Sequence, residues 1–306
     1  MDWDNSYWSP GKLLLTSEYL VIDGAKALAI PTKFGQDLKV KRTSSGKIKW
    51  TSYTDQDEVW LEVVLNSTTL NVLSTNDKKK AEKLSAILSQ ARALSTNFPN
   101  DGAIVETKLD FPRNWGLGSS STLLCNIAKW LSINAFQLHF QVSNGSGYDI
   151  ACGLSDEVLT YQLLRQTPHY ELIEFTPTFL DQIYFIHLNQ KQFSDKEVAR
   201  YSTLKSELNL KELTSKFSDL TDQFVDAKTL NEFESLIVEH EQLLSHILQQ
   251  ETISESLFQM YSGGVIKSLG AWGGDFVMVT AANRKDLDYF RNKGYCTIIS
   301  YKDIIK

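Results

Sequence analysis

Cysteine is scarce: three in 306 residues, Cys125, Cys152 and Cys296, with no CxxC pair among them. That spacing excludes a disulfide framework and a cysteine-built structural zinc site. Cys125 and Cys152 fall in apolar stretches, where a small buried thiol is the usual role. No apolar run approaches the length of a membrane span. The opening residues Met1-Asp2-Trp3-Asp4 are acidic and lack the apolar core of a signal peptide, so a cytoplasmic protein with no membrane partner is expected. Basic clusters are few as well. The densest, Lys78-Lys79-Lys80, sits between Asp77 and Glu82 and reads as the solvated start of a helix. With a net charge of −6 and no basic block, the chain lacks the footprint of a nucleic-acid binder.

What is present is ordinary for a globular protein: 42% hydrophobic and 22% charged residues. The length suits two moderate domains, since single cores stop growing near this size. The first 70 residues carry β character, with Leu13 to Ile22 and Ala27 to Ile30 reading as strand pieces. From Lys79 to Leu94 the period becomes helical, with Leu84, Ile87, Leu88, Ala91 and Leu94 on one face. Ala103 to Leu109 alternates again and Pro112 closes it. Leu123, Leu124, Ile127, Ala128 and Leu131 then return to helical spacing, and Val158 to Leu164 is strand-like. Beyond Pro177, where the domain boundary is expected, the order is strand (Ile183 to Leu188), a long helical region (Asp195 to about Met260), strands at Val265 to Leu269 and Phe276 to Thr280, a helix (Lys285 to Asn292) and a final strand (Cys296 to Tyr301). This is the β-α-β-β-α-β order of a ferredoxin-like domain with enlarged first helices.

Four segments could carry chemistry. The loop Gly116-Leu117-Gly118-Ser119-Ser120-Ser121 joins a strand to a helix. Its glycines let the backbone approach an anion, the amides of the helix start face that anion, and serine hydroxyls can add donors or ligate a metal. The plainer reading is a serine N-cap. No lysine follows the second glycine, so this is not a Walker A loop. Ser9-Pro10-Gly11-Lys12 puts a lysine at the mouth of a strand, where it either stabilises a transferring phosphoryl group or is merely solvated. In Gly145-Ser146-Gly147-Tyr148-Asp149 the aspartate is either a general base or a turn and helix-cap residue. Lys267 to Asp275, with Gly270, Ala271, Gly273 and Gly274, is either a plain hairpin or a turn that admits a ligand close to the backbone.

Taken in this order, the segments resemble the GHMP kinase superfamily, named for galactokinase, homoserine, mevalonate and phosphomevalonate kinases. Ser9 to Gly24 looks like its first motif, Pro112 to Ser120 matches its Pro-x3-Gly-Leu-Gly-Ser-Ser loop, and Lys267 to Asp275 resembles its third. The resemblance implies an α+β, two-domain fold: an N-terminal ATP-binding domain like domain 2 of ribosomal protein S5 over residues 1–176, and a C-terminal ferredoxin-like domain over 177–306. It implies an ATP- and Mg²⁺-dependent kinase acting on a small-molecule acceptor, as a monomer or homodimer. Glu18-Tyr19 and Ser146 to Ala151 resemble the mevalonate and phosphomevalonate branch, which makes Asp149 the catalytic base and Lys12 its cationic partner near the transferred phosphoryl group.

Three departures stand out. Thr122 to Ser146 contains no Asp or Glu where mevalonate kinases place a magnesium-binding glutamate, leaving Ser120 and Glu18 as the candidate metal ligands. Leu269 and Trp272 replace a hydroxyl residue and a glycine, and Trp272 is expected to add bulk beside the phosphate site. Ser17 replaces a glycine. Lys26, Lys33, Arg113 and Lys191 are the cations available for a phosphorylated acceptor. The competing readings are a GHMP kinase for a sugar or amino-alcohol, a diphosphomevalonate decarboxylase, and a nucleotide-binding regulatory paralogue impaired in catalysis.

Overall fold

Strict alternation in the sequence becomes sheet. Ala103, Val105, Thr107 and Leu109 are buried along one strand while the residues between them stay half-exposed. The computed structural model describes residues 2–190 and 194–306. In chain order the first strands are β1 (Asn5–Leu14), β2 (Ala27–Arg42), β3 (Lys47–Tyr53), β4 (Val59–Asn66) and β5 (Val72–Thr75). Helix α1 (Lys78–Leu94), β6 (Ala103–Leu109), α2 (Ser119–Leu131), α3 (Ala135–Val142), α4 (Tyr148–Gly153), β7 (Leu159–Leu164) and β8 (Thr167–Leu172) follow. Then come β9 (Ile183–His187), α5 (Ser194–Leu204), α6 (Leu210–Asp226), α7 (Leu230–Leu248), α8 (Ile253–Leu257), β10 (Ile266–Ser268), β11 (Phe276–Thr280), α9 (Asp288–Asn292), β12 (Ile298–Ser300) and α10 (Tyr301–Ile304).

The chain forms two compact units that interleave in sequence. The first comprises the chain up to Gly11, Phe34–Arg113 and Leu117–Ser155; the second comprises Lys12–Lys33, Asn114–Gly116 and Asp156–Lys306. Strands β7 and β8, which precede Pro177, group with the second unit.

In the first unit the sheet order is β5-β4-β3-β6, continued by the later half of β2. The β3–β6 pair is parallel and the others antiparallel. Leu84, Ile87, Leu88 and Ala91 of α1 join Trp50, Val63 and Val105 of the sheet and Leu124, Ile127, Ala128 and Leu131 of α2 in one core. Each Leu, Ile or Val among them contributes roughly 1.5–3 kcal/mol on burial. Asp77 caps α1 through Lys80 N–H, so the lysine triplet is a helix start.

In the second unit the earlier part of β2 pairs with β7 and β7 with β8. A second sheet runs β10-β11-β9-β12, antiparallel throughout, which is the strand order of a ferredoxin-like domain. One expectation needs correction, and one strand was not expected. The strand over Leu13 to Ile22 stops at Leu14, because the Thr16 hydroxyl accepts the Leu28 N–H and Ser17 and Tyr19 turn to positive φ; Leu20–Asp23 is a 3₁₀ turn. Strand β8 carries no sequence signal, since its hairpin turns on Arg165 and Gln166, both left-handed without glycine.

Candidate active site

Helix α2 begins at Ser119 with Gly118 as its N-cap, at φ 89°, a residue with no side chain of its own to offer as a cap. A non-glycine residue would be strained there by about 1–2 kcal/mol. The serines therefore follow the cap rather than supply it, against the plainer reading of the loop. Ser119 and Ser120 are exposed, while Ser121 is buried with its hydroxyl on the Gly118 carbonyl at 2.8 Å. Thr122 Oγ1 donates to Gln36 Oε1 at 2.7 Å, and Asn126 donates to the Gln36 carbonyl at 2.7 Å, so the base of α2 is fastened to β2. An exposed helix start with amides pointing outward is a ready anion site.

Asp149 lies in the same unit, half-buried in the first turn of α4 behind Gly147. The packing of α4 on α2 is close: a Cβ at Gly153 would meet Cys125 Sγ at 2.5 Å. Burial, and then the Asp149 charge, push the Cys125 thiol up to about 12, so this cysteine stays protonated. Lys129 of α2 donates to the Trp8 carbonyl at 2.7 Å and to Ser9 Oγ at 2.9 Å, tying the opening Ser9-Pro10-Gly11 run to the helix that carries the loop.

In the second unit, Lys12 Nζ donates to the Gly116 carbonyl at 2.9 Å. The structure thus brings the lysine of the first motif to the first glycine of the second. Gly116 has φ 66°, and a Cβ there would land on the Asp275 carboxylate. His187 fixes the loop's entry: its Nε2 lies 3.1 Å from the Asn114 carbonyl, and its ring packs on Trp115 and Phe276. The Asn189 N–H approaches His187 Nδ1 at 3.3 Å, which leaves the Nε2 proton for Asn114. Sequence reading missed His187 and the close approach of Asp275 to Gly116. Their only signal is position, at the ends of strands β9 and β11.

The turn Gly270 to Gly274 lies in this unit too, with Gly270 and Gly273 at positive φ. Trp272 does not add bulk to an open site. Its side chain is 5% exposed and packs in a cluster with Tyr19, Tyr201, Leu244 and Leu248. Its backbone N–H donates to Tyr19 Oη at 2.9 Å. Burial raises Tyr19 to about 12, so its phenol remains neutral.

Glu18, a candidate metal ligand, is instead part of a buried ionic cluster. Its Oε1 accepts from Lys267 Nζ at 2.7 Å, and Lys267 is fully buried. Lys267 also donates to the Ser268 carbonyl at 3.0 Å and lies 3.6 Å from Glu241. Glu241 accepts the Ser268 N–H at 3.1 Å, and burial pushes it up to about 7 against the pull of Lys267. His240 Nε2 accepts the Ser17 N–H at 2.9 Å and is therefore the unprotonated nitrogen; burial holds the ring neutral, well below its ordinary range. Burial raises Glu18 as well, with Lys267 opposing. The Glu18 carboxylate is thus already paired with an internal ammonium. Among the described residues, no group of three or more His, Cys, Asp or Glu side chains gathers to hold a metal ion.

The cations considered for a phosphorylated acceptor are placed as follows. Lys26 pairs with Asp222 at 2.7 Å, Lys33 donates to the Lys302 carbonyl at 2.5 Å, and Arg113 stacks on Trp60 at 3.9 Å. Lys191 lies outside the described residues. Among the described residues no helix is long and apolar enough to cross a membrane.

An α+β chain with an exposed glycine–serine helix start and a ferredoxin-like sheet has the GHMP kinase fold, and comparison with solved structures bears this out over nearly the whole length. Among the similar structures is a phosphomevalonate kinase from Streptococcus pneumoniae in complex with phosphomevalonate and AMPPNP, with 16% identity, 97% of this chain and 99% of that one covered, and a TM-score of 0.71. A Lin0012 protein from Listeria innocua matches at 17% identity, 94% and 95% coverage and a TM-score of 0.72. The mevalonate kinase of Methanococcus jannaschii matches at 16% identity, 96% coverage of each chain and a TM-score of 0.67. No family model and no curated protein matches the sequence.

Proposed function

We propose that the chain is a cytoplasmic, ATP- and Mg²⁺-dependent kinase that phosphorylates mevalonate or 5-phosphomevalonate in isoprenoid precursor synthesis. The observation that carries this reading is the start of α2, where the N-cap Gly118 has no side chain to offer the first amides and Ser119 and Ser120 open to solvent. Such a terminus suits nucleotide phosphates. Residues 1–176 supply ATP binding in this reading and residues 177–306 the ferredoxin-like part, in a monomer or homodimer.

Phosphoryl transfer asks chiefly for alignment and charge stabilisation. In this reading Gly116, Leu117, Gly118, Ser119, Ser120 and Ser121 offer a phosphate-binding turn, and Gly270, Ala271, Gly273 and Gly274 form a second glycine turn whose backbone admits a phosphate. Mg²⁺ fits as a companion of the nucleotide rather than as a resident ion, with the exposed Ser120 hydroxyl as its protein ligand; it neutralises phosphate charge when bound. Lys12 supplies positive charge, and its hold on the Gly116 carbonyl supports that role. Asp149 accepts the acceptor's hydroxyl proton, a contribution worth about 10²–10⁴-fold. The burial of Trp272 removes one ground for a catalytically impaired paralogue.

The test is ADP formation from ATP·Mg²⁺ with mevalonate, 5-phosphomevalonate, diphosphomevalonate, galactose and homoserine in parallel. Turnover dependent on one of the first two is expected. Turnover with galactose or homoserine alone moves the substrate class, CO₂ release from diphosphomevalonate makes the chain a decarboxylase, and no turnover with any acceptor overturns the kinase reading.

A further inference from the structure

The second unit spends an expensive device on holding two of its segments together. Lys267 is fully buried, and taking an ammonium out of water costs several kcal/mol even after relaxation. A buried ion pair is a poor way to gain stability, but it fixes geometry, because each partner tolerates few alternative positions. Its location is specific. Glu18 sits in the turn just after β1, and Lys267 sits in β10, three residues before Gly270. One residue further along the first turn, Tyr19 Oη accepts the N–H of Trp272, inside the glycine turn itself. Two adjacent residues of one segment thus grip both the approach to the turn 270–274 and its centre.

The grip is reinforced from behind. Helix α7 presents His240 to the Ser17 N–H and Glu241 to the Ser268 N–H, so one helical turn holds the backbone on either side of the Glu18–Lys267 pair. Asp23, at the end of the 3₁₀ turn, is bound by Tyr201 Oη at 2.7 Å and Lys205 Nζ at 2.6 Å. The turn that Glu18 and Tyr19 occupy is therefore anchored at both ends. Gly270 and Gly273, by contrast, have positive φ and no Cβ, so little in the local sequence holds the glycine turn in one shape.

We infer that Lys267 and Tyr19 are positioning residues: the Glu18–Lys267 ion pair and the Tyr19–Trp272 hydrogen bond form a clamp that presets the backbone of residues 270–274 for a nucleotide phosphate. This rests on the kinase reading above for the identity of the ligand, but the clamp is a property of the unit alone. It gives the replacement of a family glycine by Trp272 a purpose, since the indole buries the turn's midpoint among Tyr19, Tyr201 and Leu248.

The test uses the full chain with Glu18→Gln/Lys267→Met, which removes both charges with little change of volume, and Tyr19→Phe as a second variant that keeps the ion pair. Amide hydrogen exchange is followed for residues 269–275 and, as a control, for β11 and α6. AMPPNP·Mg²⁺ affinity is measured by calorimetry. Exchange in 269–275 is expected to accelerate at least tenfold over the controls in each folded variant, with AMPPNP affinity falling at least tenfold. Unchanged exchange, or acceleration by one factor throughout the chain, overturns the clamp, as does unaltered nucleotide affinity. If the wild-type chain binds no AMPPNP, the kinase reading fails, while the exchange result still decides whether the clamp exists.

Discussion

Replacing Glu241 by glutamine gives a quantitative check on the buried cluster. The amide keeps an oxygen for the Ser268 N–H, which Glu241 accepts at 3.1 Å, and removes only the ionisation. Burial raises this carboxyl from its ordinary 4.5 to about 7 in the folded chain. Between those pH values the folded state holds a proton that the unfolded state releases, so the group's contribution to stability falls as pH rises. It is fully present below 4.5, is lost through about 7, and is flat above that. At about 1.4 kcal/mol per pH unit, the window corresponds to a loss of about 3 kcal/mol, most of which falls between pH 5 and pH 8. His240 works in the opposite sense, since a ring held neutral loses stability as pH falls, but it is common to both proteins and cancels in the comparison. Urea unfolding of wild type and Glu241→Gln across pH 5 to 8 reads the difference directly. Wild type minus variant should decline from pH 5 to about 7 and level off above it. A difference independent of pH, or one that grows with pH, would refute the placement of Glu241 as a buried, proton-holding carboxyl.

Asp149→Asn should lower turnover about 10²–10⁴-fold while nucleotide affinity stays within a factor of three, and steady-state rates alongside calorimetry check it. Trp272→Ala should cost about 3–5 kcal/mol in urea unfolding, because it empties a core position rather than a surface one. Gly116→Ala should weaken ATP binding with a smaller change in stability, since its methyl would displace Asp275 beside the loop; ATP titration and thermal melting together separate the two effects.

Much of the fold was legible because local pattern and packing agree. The alternation of β6, the helical stripe of α1 and the β-α-β-β-α-β order beyond Ile183 all appear in place. The turn at Ser17 to Asp23 was not legible. Its apolar residues Leu20 and Val21 mimic a strand, while the partners that bend it, Thr221 on the Thr16 hydroxyl and His240 on the Ser17 amide, lie more than 200 residues away. For the same reason Glu18 looked available to a metal: nothing near it in sequence announces Lys267. The glycine–serine turn into α2 could be read from Gly116 to Ser121, whereas His187, which holds its entry, is one histidine at a strand end until the sheet brings it to Asn114.

The central claim is phosphoryl transfer, and the most direct measurement follows the fate of the γ-phosphate of labelled ATP with Mg²⁺ and either mevalonate or 5-phosphomevalonate. The account predicts that label moves to the acceptor in step with ADP formation, and that Asp149→Asn nearly abolishes the transfer. Label that stays in ATP, or appears only as inorganic phosphate whichever acceptor is present, would contradict it.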